Sequence, residues 1–180
     1  LMVGLAAITA LPGGDDNAGP IGVLFYLAGY AMTNLAAFSV IIAVTHKTNN
    51  DSISSFSGLA KASPLIAVAM TLAMISLIGI PPTVGFMAKI YLFGAAMDTG
   101  LEWLAIVGVV NSVISAYYYL RVVKVMFLSD PEENGEDSKT SYGVRAVSAA
   151  VIAMAGTFLF GIYPAPILRI AHTAIDSLIG

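Results

Sequence analysis

Lys89 is the residue whose setting calls for chemistry. It is the only charged side chain in PLIAVAMTLAMISLIGIPPTVGFMAKIYLFGAAM, residues 64–97. A bilayer core about 30 Å thick needs roughly 20 apolar residues in a helix, and this run exceeds that length. Counting back from Asp98 at 1.5 Å per residue, Lys89 lies about 13 Å inside, too deep to snorkel easily. An ionisable residue at that depth points by default to an ion or proton path. Pro81 and Pro82 remove two backbone donors just before it, and Gly79 and Gly85 on either side ease a non-helical conformation. Backbone groups left unpaired at membrane depth are tolerated only inside protein or beside a water-filled cavity. The spacing therefore predicts a helix broken near 80–85, with Lys89 just beyond the break as the chemical group. The competing reading is a surface loop at Pro81 and Pro82 between two short helices, with Lys89 simply wet.

Other polar groups are sparse. Asn111, Ser112 and Ser115 form one polar stripe at helical spacing, which either joins helices or lines a wet path. Tyr117, Tyr118 and Tyr119 follow as interface anchors or, alternatively, members of a proton wire; Tyr117 joins the stripe as a candidate path residue. Thr33 and Asn34 fit helix-to-helix hydrogen bonds better than transport. His46 reads as a solvated residue at a membrane edge and His172 as part of a polar helix face rather than a metal ligand.

The elements that must carry these groups follow from composition. The 180 residues are 58% hydrophobic and 11% charged, against about 25% charged in a soluble domain, which makes an integral membrane protein. No basic patch suggests nucleic acid. Cysteine is absent, which excludes disulfides, thiolate metal sites and Cys-ligated iron–sulfur clusters. We expect an all-α integral membrane protein forming one membrane domain over 1–180, with about five transmembrane helices, the first truncated and the third discontinuous, plus a C-terminal amphipathic helix. The expected spans are 1–11 (partial), 20–44, 64–97 (broken near 80–85), 101–128 and 142–163, with an amphipathic tail at 167–179. Leu1 to Leu11 reads as the end of a truncated helix, so the chain is expected to be a fragment of a longer one.

The links are polar. Residues 12–19 (PGGDDNAG) form a turn, 45–63 a link with a short interfacial helical turn, and 129–141 (SDPEENGEDSKTS) an acidic segment. Lys47, Lys61, Arg121, Lys124, Lys139 and Arg145 fall on one side of such a topology and only Arg169 on the other. The positive-inside rule then puts the carboxyl terminus outside, on the positive side.

The segments LAGYAMTNLAAFSVI, GLAKASPLIAVAMTLAMISLIGIPPTVGFMAKIYLF and NSVISAYYYLRVVKVMF resemble the carboxyl-terminal part of the N-type antiporter-like membrane subunits of respiratory complex I, over about residues 20–169. GIPPTVGFMAK and SAYYYLR are the specific elements. The M-type relatives usually carry a glutamate where Lys89 stands, so Lys89 favours the N-type. The resemblance implies a proton-translocating subunit of an NADH:quinone oxidoreductase in an energy-transducing membrane, most simply the bacterial cell membrane. It implies that Lys89 is the lysine of the second broken helix, at the outer part of the proton path, with the family's glutamate–lysine pair before Leu1. No cofactor is expected in this chain; NADH, FMN, iron–sulfur clusters and quinone would belong to partner subunits. Neighbouring antiporter-like and small membrane subunits and the bilayer are the expected partners. The rivals are a subunit of a multi-component sodium/proton antiporter or membrane-bound hydrogenase, and a structural membrane subunit in which Lys89 is an ion-paired packing residue.

Overall fold

In a computed structural model, residues 17–130 and 143–179 are described, and all of the regular structure among them is helical. Helix α1 runs Ala18–Thr48, with Pro20 in its first turn, where the missing N–H costs nothing, and Asn49 closing it in a left-handed conformation. The link that follows holds a 3₁₀ turn, Ile53–Phe56, and a single helical turn α2, Leu59–Ala62. Helices α3, Pro64–Ile78, and α4, Val84–Asp98, have 15 residues each. Helix α5 is Glu102–Leu128, α6 Val144–Ile162 and α7 Ala165–Ile179.

Among the described residues, two helices are long and apolar enough to cross a membrane, α1 and α5; α6 with α7 makes a third only if that pair, bent by 81°, is one span. The expectation of about five crossings is therefore overturned. An apolar run measures composition, whereas crossing alone requires unbroken helix. Residues 64–97 are apolar enough, but they divide into two helices of about 22 Å each, short of a core about 30 Å thick. Ile167, Ala171 and Ile175 of α7 are buried, the first against Phe25 and its neighbours and the other two against Ile21, while Arg169, His172, Thr173 and Asp176 stay exposed. The expected partial span at 1–11 and most of the acidic segment lie outside the described residues.

Helix α1 is the centre of the packing. It touches α3, α4, α6 and α7, while α3 also packs on α5 and α4 on α6. Small residues let the backbones approach, as membrane helices favour. A Cβ on Gly22 would lie 3.3 Å from the Tyr91 carbonyl oxygen, and one on Gly29 3.0 Å from the Val84 side chain, so both glycines admit α4. The main core joins Ala36, Ala37, Val40 and Val44 of α1 to Ile66, Ala67, Met70, Ala73 and Met74 of α3, with Met126 and Ala150 closing it. Helix α5 contrasts with this. Ile106, Val110, Val113 and Ile114 are exposed on it, the surface a helix presents to lipid or to another subunit. Lys61 binds Asp130 at 2.9 Å across the open end of α5. That hydrogen bond and the lysine charge hold the Asp130 carboxyl below its usual range.

Candidate functional site

The five residues between α3 and α4 set the site. Helix α3 stops at Gly79, whose φ of +89° only glycine adopts easily, and the Gly79 and Ile80 N–H groups both reach the Ile75 carbonyl, at 3.0 and 3.2 Å. A helix end leaves its last carbonyls without intrahelical donors. Here the ammonium of Lys89 takes two of them, donating to Ile78 O at 2.6 Å and Leu77 O at 3.2 Å. The negative end of the α3 dipole favours a cation at that point. Gly79 also makes room: a Cβ there would come within 2.9 Å of Lys89 Cδ and 3.1 Å of Nζ. Across the connector, Thr83 is buried and donates through its hydroxyl to Ile80 O at 2.7 Å.

Pro81 and Pro82 lie in the connector and are exposed, but Gly161 of α6 comes close against the Pro82 carbonyl and the Thr83 backbone. Gly85 falls in the first turn of α4, pressed on the carbonyl of Ser76, and its N–H donates to Ser76 Oγ at 3.3 Å. Ser76 Oγ is 3.0 Å from Thr33 Oγ1, which donates to Gly29 O at 2.9 Å. Ser76 and Thr33 are each 1% exposed. The polar groups left open at the break are thus met by side chains from the flanking helices.

Beside Lys89 opens a cavity of ≈ 430 Å³ lined by Tyr26, Tyr30 and Thr33 of α1, Ser76 and Lys89, and a wall from α5. That wall includes Asn111, Ser112 and Ser115, so the structure brings the polar stripe and the lysine together. Ser112 and Ser115 spend their protons on Gly108 O (3.0 Å) and Ser112 O (2.8 Å), leaving acceptor lone pairs. Tyr117 is not part of the wall and is 79% exposed; Tyr118 and Tyr119 line it instead, their rings 4.6 Å apart. Counting in helical steps from Asn111 would have found this, since 111, 115, 118 and 119 share a face and 117 does not. The same spacing marks Tyr26, Tyr30 and Thr33. Ser76 carries no such periodic signal and becomes visible only once α3 is docked on α1.

Of the remaining polar candidates, Thr33 forms the helix-to-helix bond, whereas the amide of Asn34 donates to Tyr30 O in its own helix at 2.8 Å. His46 and His172 are exposed. Among the described residues no carboxylate lies within ion-pair distance of Lys89, and no group of three or more His, Cys, Asp or Glu side chains is suited to a metal.

Fold and site together define a helical integral membrane protein with a lysine held at the end of one short helix and facing a polar-walled cavity. The chain belongs to the NADH:quinone oxidoreductase/Mrp antiporter transmembrane family, whose model matches residues 3–115. It is 45% identical to NADH-quinone oxidoreductase subunit N of Desulfitobacterium hafniense over 158 residues, covering 88% of this chain and 31% of that protein. To subunit N of Chloroflexus aggregans it is 44% identical, over 92% and 33% of the two chains. The chain thus spans about a third of the length of these curated relatives. A chain of the Mrp complex from a Dietzia species shares its fold with a TM-score of 0.80 at 24% identity, over 95% of this chain and 39% of that one. A chain of respiratory complex I from Thermus thermophilus superposes with a TM-score of 0.65 at 26% identity, over 93% and 42%.

Proposed function

We propose that this chain forms part of the N-type antiporter-like subunit of an NADH:quinone oxidoreductase, translocating protons while partner subunits carry NADH, FMN, iron–sulfur clusters and quinone. The observation that carries the reading is the Lys89 ammonium, bound to the Leu77 and Ile78 carbonyls and open to a cavity with hydroxyl and amide walls. Its protonated form is held by the end of α3. A proton lost to the cavity weakens that hold, because a neutral amine is a poorer donor to carbonyls, and the next proton restores it. Asn111, Ser112 and Ser115 supply acceptors and polar surface along the cavity wall, where water can be ordered. Neighbouring membrane subunits cover the exposed face of α5 in this reading.

The test is Lys89→Ala in the full-length subunit within the assembled complex. Protons moved per electron should fall while quinone reduction persists, and unchanged pumping would sink the role of Lys89. Lys89→Arg should also impair pumping, because a guanidinium does not give up its proton.

A second reading, a subunit of a multi-component sodium/proton antiporter, is favoured by the higher TM-score of the Mrp chain. That likeness at 24% identity speaks for fold alone, whereas identities of 44–45% support subunit N. Co-purification of flavin and iron–sulfur subunits with the full-length protein separates the two. For location, the similarity to subunit N of two bacteria supports a bacterial cell membrane, and we propose that the carboxyl terminus faces its outer, positive side. These 180 residues contain no cysteine, so His172→Cys places a single thiol within them. An impermeant maleimide should label it in right-side-out vesicles, and labelling only in inverted vesicles would reverse the orientation.

A further inference from the structure

The hydroxyls of Thr33 and Ser76 form a chain whose direction follows from counting protons. A hydroxyl has one proton to give. Thr33 gives its proton to Gly29 O at 2.9 Å. In the 3.0 Å contact between Thr33 Oγ1 and Ser76 Oγ, Ser76 must therefore be the donor. Ser76 Oγ in turn accepts the Gly85 N–H. The order is Gly85 N–H to Ser76, Ser76 to Thr33, and Thr33 to Gly29, and each member polarises the next. Both residues are 1% exposed, and both line the cavity beside Lys89.

This chain governs both halves of the lysine's setting. Ser76 directly precedes Leu77, whose carbonyl accepts from Lys89. Gly85 precedes Lys89 by four residues and so lies on the same face of α4, one turn earlier. Anchoring Ser76 and Gly85 to each other, and both to α1 through Thr33, fixes the distance over which the ammonium must reach.

We propose that Thr33 and Ser76 are positioning residues that hold Lys89 on the end of α3, acting through the lysine and touching no transported proton themselves. The proposal rests on the function assigned above only for its effect on pumping; the clamp itself is read separately. In the assembled complex, amine acylation at Lys89, followed by mass spectrometry, reports how firmly the ammonium is held. Thr33→Val keeps the shape and removes the hydroxyl. It should raise the labelling rate about fivefold, the ratio that losing one ordinary hydrogen bond sets. Ser76→Ala should do the same, and the double variant should equal either single one, because the three bonds form one unit. Thr33→Ser, which keeps the hydroxyl, should label like the native chain. The pH profile of pumping should shift in Thr33→Val and return in Thr33→Ser.

Unchanged Lys89 labelling in both Thr33→Val and Ser76→Ala overturns the clamp whatever Lys89→Ala does to pumping. Raised labelling together with native pumping in Lys89→Ala keeps the clamp and overturns the proton-carrying role instead. If Thr33→Val does not assemble, Ser76→Ala, which removes a single oxygen, decides alone.

Discussion

The chain interrupts an apolar stretch at proline twice, between Ile78 and Val84 and again between Ile162 and Ala165, and only the first interruption gathers polar groups. At the second, Tyr163 N–H returns to Leu159 O at 2.8 Å and Leu168 N–H reaches Pro164 O at 3.1 Å, so local backbone bonds close the bend. Its helices then meet at 81° and α7 lays Ile167, Ala171 and Ile175 on the start of α1. At the first, the last carbonyls of α3 go to a lysine from the following helix, and a donor at the start of α4 goes to a serine from the preceding one. A proline break alone therefore makes a corner. It becomes a site when side chains from beyond the break return to satisfy what it left open.

That contrast can be broken most severely at Gly85. Its Cβ would overlap the Ser76 carbonyl, which is backbone and cannot swing away, so Gly85→Ala should destabilise the subunit by about 3 kcal/mol, the upper range for overpacking. Recovery of the subunit in the assembled complex measures this. Gly79→Ala is milder, since the crowding atoms belong to the flexible end of Lys89. Left-handed backbone costs an alanine about 1–2 kcal/mol, so assembly should persist while pumping drops as the ammonium is pushed aside. Pro164→Ala at the other bend should change least: protons moved per electron should match the native complex, with thermal stability altered by about 0.5 kcal/mol or less, as for a proline outside a helix interior. A loss of pumping there as large as in Gly79→Ala would erase the distinction between corner and site.

Much of the first bend is legible from residue types alone, because Gly79, Pro81, Pro82 and Gly85 carry their conformational preferences with them. The polar stripe on α5 is legible from spacing, although adjacency points to Tyr117 where helical rotation selects Tyr118 and Tyr119. What could not be read is register between helices. Ser76 and Thr33 are 43 residues apart, and nothing local says that they meet. The number of crossings failed for a related reason. Apolar composition runs through 64–97 without interruption, but hydrogen-bonded helix does not.

One property of the lysine site follows from what holds it. Carbonyl dipoles steady an ammonium without neutralising it, so the Leu77 and Ile78 oxygens that hold Lys89 do not themselves cancel its charge. Its field is then available to neighbours, and theirs to it. At an effective dielectric constant of 20, a unit charge appearing 7 Å away changes the energy of that ammonium by about 2 kcal/mol, more than a tenfold change in how often the amine holds its proton. An ion pair would have blunted that response. The break in the helix, by lending oxygens that carry no formal charge, leaves Lys89 sensitive to distant electrostatic events.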